Sequence, residues 1–131
     1  MLLIDTNIFL ELFLGQEKAD ECERFLQKIS RGDLEAVITK FTVHACEALL
    51  NNPELILVFL RNLQNSVGLD VYETTLEDEM AASMLMANLK LDFDDALQYF
   101  VAKKLGVEAI VSYDKHFDKV DIPRKEPKHF L

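Results

Sequence analysis

The sequence predicts an α/β fold, a three-layer α/β/α sandwich with a central parallel sheet of four to five strands. Three observations carry that expectation. Short apolar runs at residues 1–4, 34–39, 69–72 and 109–112 have strand length. The stretches between them repeat apolar residues at helical spacing and are long enough for one or two helices each. Half of the positions are apolar at a net charge of −9, a balance that reads as a globular domain, neither disordered nor fibrous. Strands separated by helices form parallel sheets with right-handed crossovers.

The elements follow in order. Residues 1–4 end at Asp5, and an apolar run this short fits a buried strand better than a helix. Thr6 or Asn7 then caps a short helix through Leu14, stopped by Gly15. Ala19, Cys22, Phe25, Leu26 and Ile29 mark an amphipathic helix that Gly32 ends. Residues 34–39 read as the second strand, followed by a helix over 42–50 that Asn51, Asn52 and Pro53 break. Residues 54–64 contain Leu-Ile-Leu-Val-Phe-Leu, which fits either period; length and a proline at the start favour helix. Gly68 precedes a third strand at 69–72, and Thr75 with Asp78 forms a capping-box start for a helix running to Leu89. Asp92 opens a helix in which Ala96, Leu97, Phe100, Val101 and Leu105 face inward and Gly106 is the stop. Residues 109–112 are the fourth strand; the remainder, with Pro123 and Pro127, reads mostly as loop with a short edge strand near 129–131.

Residues 1–131 are expected to form a single domain. A chain of this length buries about 68% of the surface its unfolded form exposes, which suffices without disulfides or a structural metal. The two cysteines, Cys22 and Cys46, read as buried free thiols. No uncharged apolar run approaches the roughly 20 residues a membrane span needs. The start lacks the basic region and longer apolar stretch of a signal peptide, so a cytoplasmic location is expected. Charge is uneven: residues 1–100 hold seven basic and eighteen acidic side chains, against seven and five in residues 101–131. The overall acidity excludes a broad basic face for nucleic acid and leaves the C-terminal end as the place for a local one.

Parallel sheets bind ligands outside the carboxyl ends of their strands. Asp5 directly follows the first strand and Asp114 the fourth, Glu47 lies about one turn into the helix after the second, and Asp94 and Asp95 open the helix leading to the fourth. Each alone has an ordinary explanation as a turn residue, a helix cap, a solvated glutamate or a charge on the macrodipole, worth about 0.3–1 kcal/mol. Together they fall where the α/β rule puts a site. Clustered carboxylates repel unless a cation compensates, and hard divalent ions with oxygen ligands do so. With no His or Cys at ligand spacing, Mg²⁺ or Mn²⁺ is expected over Zn²⁺. Such a site can activate water and stabilise both oxygens of a phosphodiester displacement.

These residues carry a resemblance. Leu-Leu-Ile-Asp5-Thr6-Asn7, Thr42-Val-His-Ala-Cys-Glu47, Asp95-Ala96 with Ala102 seven positions on, and Ile-Val-Ser112-Tyr-Asp114-Lys-His-Phe117 stand in the order and spacing of PIN-domain ribonucleases. The chain resembles in particular the VapC toxins of prokaryotic toxin–antitoxin pairs. The resemblance implies a metal-dependent endoribonuclease that leaves 3′-hydroxyl and 5′-phosphate ends, with Asp5, Glu47, Asp95 and Asp114 as its catalytic, metal-holding acids. Asp95 is chosen over the adjacent Asp94 because the family's acid precedes Ala-Leu. It also implies hydrogen-bonding support from Asn7 and Ser112, with Ser112 or Thr6 near the metal water or the phosphate, a homodimer, and an antitoxin whose C-terminal segment wraps the toxin. Asp118 is a possible support for the acids.

Lys103, Lys104, Lys115, Lys119, Arg124, Lys125 and Lys128 are the cations available to phosphates, with Lys115 beside the acid loop. Among the histidines only His116 is placed to touch a substrate, while His44 reads as a packing or surface residue. Phe9, Leu10, Phe13 and Leu14 with the 55–60 run exceed what a small core comfortably hides; core burial is their first explanation, and a dimer or a partner helix is expected over any part left exposed. Alternative readings are an RNA-processing PIN nuclease without antitoxin, a non-catalytic RNA- or protein-binding module, and phosphoryl transfer through an aspartyl phosphate. The last lacks the second acid two residues after Asp5.

Overall fold

Five parallel strands, β1 (Leu2–Ile4), β2 (Ala36–Thr39), β3 (Leu69–Tyr72), β4 (Ala109–Val111) and β5 (Arg124–Lys125), form one sheet in the order β3-β2-β1-β4-β5. This is a computed structural model, and it describes residues 1–131. Six helices accompany the sheet: α1 (Thr6–Phe13), α2 (Ala19–Arg31), α3 (Lys40–Leu50), α4 (Pro53–Asn65), α5 (Leu76–Leu89) and α6 (Phe93–Leu105). The predicted three-layer α/β class is the observed one.

The strands are short, and β1, β2 and β4 are buried at every position, apolar except for Thr39 at the end of β2, while the pleat sends alternate residues to opposite faces. Leu2, Ile4, Ala36, Ile38, Ala109 and Val111 point into a core built with Ile8, Phe9, Phe25, Ile29, Val43 and Phe59 from the first four helices. Leu3, Val37 and Ile110 point the other way, into a second core with Ala96, Tyr99, Val101, Ala102 and Phe117. The alternation therefore makes two cores from one sheet. Both cysteines are free and buried in the first.

Several helix ends match the sequence closely. Asn52 caps α4 with Pro53 at its first position, Thr75 and Asp78 form the reciprocal capping box of α5, and Gly106 ends α6 in the left-handed conformation. Gly68 has a different reason to be glycine. A Cβ there would lie 2.1 Å from the carbonyl oxygen of Leu34 and 2.7 Å from that of Ile29, so β3 can meet β2 only because that atom is missing.

The C-terminal stretch differs from expectation. The edge strand is Arg124–Lys125, while Pro127–Phe130 is a 3-10 turn, and a second 3-10 turn covers Lys115–Lys119. Proline at 127 has no N–H for a ladder, whereas Ile110 and Ser112 of the β4 edge donate to Pro123 and Lys125 carbonyls. Phe130 packs on Phe25 with centroids 5.5 Å apart, which uses the apolar end as a plug rather than a strand. In α6 the buried residues include Gln98, Tyr99 and Ala102 beside Ala96, Leu97 and Val101, while Phe100 and Leu105 are half-buried. The helix is covered on more than one side, so a single predicted stripe was too narrow.

Phe9 and Phe59 are buried, with rings 6.1 Å apart, but Leu14, Leu55, Leu57 and Val58 stay exposed. Between α1, α2 and α4 lies an open, mainly apolar groove of about 360 Å³, lined by residues including Phe13, Leu26 and Leu63. No helix is long and apolar enough to cross a membrane.

Candidate active site

The chain winds from β1 outward to β2 and β3, then crosses back to place β4 on the other side of β1. Strand order reverses between β1 and β4, and in an open parallel sheet this is where the loops diverge and leave a crevice. Asp5 leaves β1 there and Asp114 lies just past β4.

Asp5 is the centre of a hydrogen-bonded knot. Its N–H donates to the Val111 carbonyl at 3.0 Å, continuing the ladder one residue past β1. One carboxylate oxygen accepts from the N–H of Thr6 at 2.8 Å, and the other accepts from the Ser112 hydroxyl at 2.7 Å. The N-cap of α1 is thus Asp5 itself, not Thr6 or Asn7. The strand runs into the helix without a loop, so the last extended residue is the one placed to cap. Thr6 and Asn7 are released for other work: the Thr6 hydroxyl lies 2.7 Å from that of Thr42, and the Asn7 amide donates to Ser112 Oγ at 3.1 Å. Ser112 Oγ also accepts from the N–H of Asp114 at 2.9 Å. One hydroxyl ties both loop acids together.

Asp95 is buried in the first turn of α6, behind its cap Asp92. Its carboxylate lies 3.3 Å from Nδ1 of His116, and the same nitrogen lies 3.1 Å from Asp114 Oδ1. One ligand atom each from Asp95, Asp114 and His116 fall within 4.8 Å of one another. Asp94 is not one of those three, but it faces the same crevice: its charge acts on Asp5 and feels Asp114, and the Gln98 amide approaches it at 3.4 Å. Asp5 and Glu47 both stand outside the group of three: Asp5 is joined to Asp114 through Ser112, while Glu47, on half-exposed α3, pairs its carboxylate with His44 at 2.9 Å.

Burial and mutual repulsion mark these acids. Burial above all, with the charges of Asp94 and Asp95, pushes the Asp5 carboxyl up to about 7 despite the Ser112 hydrogen bond. Burial, then the charges of Asp114 and Asp92, raises Asp95 to about 6. Asp94 is raised as well, first by burial. Such upward shifts set these carboxyls apart from those of a solvated acidic face. A cation would relieve them, and the donor set fits one: carboxylate oxygens and an imidazole nitrogen, close together and on rigid element ends.

Two residues were not singled out from the sequence for what they do here. His116 is two positions after Asp114, and an acid that caps a turn folds the second residue back toward itself; the pair Asp-Lys-His carries that signal. Gln98 is four after Asp94 on an apolar helix, so its inward placement was readable. It is fully buried, donates to Thr42 Oγ1 at 2.9 Å, and leaves its own oxygen without a partner. Asp118 turns away from the acids to Arg124, 2.7 Å distant, which lowers its carboxyl below the usual range. Of the C-terminal cations, Lys103, Lys104, Arg124 and Lys128 are committed to acids, whereas Lys115 forms no ion pair.

Residues 2–123 match the family model of the PIN domain. A VapC ribonuclease of Aquifex aeolicus is 25% identical over 141 residues, spanning 97% of this chain and 97% of the relative. Among solved structures, Mycobacterium tuberculosis VapC20, described as a sarcin-ricin loop cleaving toxin, aligns with a TM-score of 0.74 at 16% identity over 93% of this chain and 96% of its own. A toxin–antitoxin complex from Klebsiella pneumoniae gives 0.74 at 19% over 97% and 98%, and FitAcB from Neisseria gonorrhoeae gives 0.67 at 18% over 98% and 99%.

Proposed function

Because the chain belongs to the PIN-domain family, we propose that it is a metal-dependent endoribonuclease, a single domain over residues 1–131 that hydrolyses RNA phosphodiesters as the toxin of a toxin–antitoxin pair. The observation that carries the reading is the crevice at the β1/β4 switch point, where Asp5 and Asp95 are held at about 7 and 6 with Asp114 beside them. Carboxylates this crowded need a counter-cation to be fully charged at neutral pH. A divalent ion, Mg²⁺ or Mn²⁺, supplies Lewis acidity for activating water and neutralising phosphate charge when bound.

The chain's own residues have these parts. Asp5, Asp95 and Asp114 would hold the ion from the end of β1, the first turn of α6 and the loop after β4. Ser112 fixes the Asp5 carboxylate and the Asp114 backbone together, so the acids keep their separation without the ion. Glu47, paired with His44, is assigned to orient the attacking water or bind a second ion. Lys115, free of ion pairs next to Asp114, meets the phosphate. The apolar groove between α1, α2 and α4 and the exposed residues Leu55, Leu57 and Val58 give an antitoxin segment or a second copy a surface to cover. Similarity to toxins and toxin–antitoxin complexes supports that partner over a stand-alone RNA-processing role.

Cleavage of structured RNA with Mg²⁺ or Mn²⁺, with chelator, and by Asp5→Asn tests the proposal. Activity is expected only for the wild type with metal. Cleavage that survives both chelation and the substitution overturns the mechanism.

A further inference from the structure

We propose that His116 is a metal ligand of this site through Nδ1, forming with Asp95 and Asp114 a mixed nitrogen and oxygen donor set that selects a first-row transition ion over Mg²⁺. The proposal rests on the reading of the crevice as a divalent-ion site and names the kind of ion it takes.

The geometry points to His116 in three ways. Its Nδ1 stands 3.1 Å from Asp114 Oδ1 and 3.3 Å from Asp95 Oδ2. Donors at right angles around an ion about 2.2 Å away are about 3.1 Å apart, so these are separations that ligands of one ion show. The two carboxylates come from different elements, α6 and the loop after β4, and a nitrogen between them has one hydrogen at most to share. The imidazole is also built into place. Asp114 caps the 3-10 turn by accepting from the His116 N–H at 2.8 Å, and the next residue, Phe117, is fully buried in the second core. The ring is therefore fixed at its backbone, while its 66% exposed side chain leaves the far edge open to solvent.

Ligand chemistry then decides the preference. Mg²⁺ is a hard ion that keeps oxygen ligands and water, whereas first-row transition ions bind imidazole and follow the Irving–Williams order. An Asp-Asp-His set loses little with Mn²⁺ and gains more with later ions. A purely carboxylate set discriminates less, because oxygen donors suit Mg²⁺ as well as Mn²⁺.

The test uses the full chain, titrated with Mn²⁺ and separately with Mg²⁺ by calorimetry, as wild type, His116→Ala and His116→Asn. Circular dichroism checks that the variants fold, as expected for an exposed side chain. Mn²⁺ should bind the wild type at least tenfold more tightly than Mg²⁺, both variants should lose about tenfold to a hundredfold in Mn²⁺ affinity, and Mg²⁺ affinity should change less than threefold. Pulsed EPR of bound Mn²⁺ should show nitrogen coupling in the wild type that is absent from His116→Ala. Mn²⁺ binding that is unchanged by His116→Ala, with no nitrogen coupling in the wild type, overturns the proposal and leaves the divalent-ion reading standing. Failure of the wild type to bind either ion overturns both.

Discussion

Replacing Asp5 by asparagine should exchange metal binding for stability, with a sign that depends on pH. Asp5 is 3% exposed and its carboxyl is raised from 3.8 to about 7, mainly by burial. A carboxyl raised on folding favours the native state while protonated, so its stabilising protonated form is intact below pH 3.8 and lost as pH climbs through 7. At about 1.4 kcal/mol per tenfold change in proton affinity, the full cost of forcing the charge is about 4 kcal/mol at pH 8, about 2 at pH 5 and under about 1 at pH 4. Asparagine cannot ionise and escapes that cost. It loses the second carboxyl oxygen, the one that accepts from the Ser112 hydroxyl, which costs about 1–3 kcal/mol at every pH. The variant should therefore be less stable than the wild type near pH 4 and more stable by about 1–3 kcal/mol at pH 8, in metal-free buffer. Urea denaturation followed by circular dichroism across that range measures the crossing. Adding Mn²⁺ at a hundred times its dissociation constant should return about 2.7 kcal/mol to the wild type alone. A difference between the two proteins that does not vary with pH, or that grows in the wild type's favour as pH rises, would refute the reasoning.

Three further outcomes follow from the same structure. Ser112→Ala removes the donor to Asp5 and orphans the Asp114 N–H, so it should cost about 1–3 kcal/mol in urea denaturation and shift the acid limb of the RNA-cleavage profile to higher pH. Asp95→Asn should reduce cleavage by about 100-fold or more, and Asp94→Asn by about tenfold or less, because only Asp95 shares the reach of Asp114 and His116; equal losses would show that Asp94 holds the ion too. Gly68→Ala pushes a methyl into the Leu34 and Ile29 carbonyls, so β2 and β3 must part, and the expected loss of about 2 kcal/mol or more is read from the urea midpoint.

The helices and strands were legible because each rests on a local cause. Pro53 with Asn52, Thr75 with Asp78, and Gly106 act within one turn of chain, and periodicity needs only neighbours in sequence. Where local signals were weak or misleading, packing decided: Phe130 follows no strand pattern because it fills space over Phe25. The acids at strand ends were legible as candidates for the same local reason, since an acid directly after a buried strand must emerge at the edge of the sheet.

What the sequence alone determined is the kind of layer structure and the family of residues at its carboxyl edge, because both depend on chain-local patterns and on a general rule for parallel sheets. Which of those residues meet is a matter of strand order. Only the crossing of β4 to the far side of β1 brings Ser112 between Asp5 and Asp114 and sets His116 against Asp95. Nothing in local spacing encodes that order, since contacts separated by about a hundred residues are chosen by burial of the two faces of the sheet together.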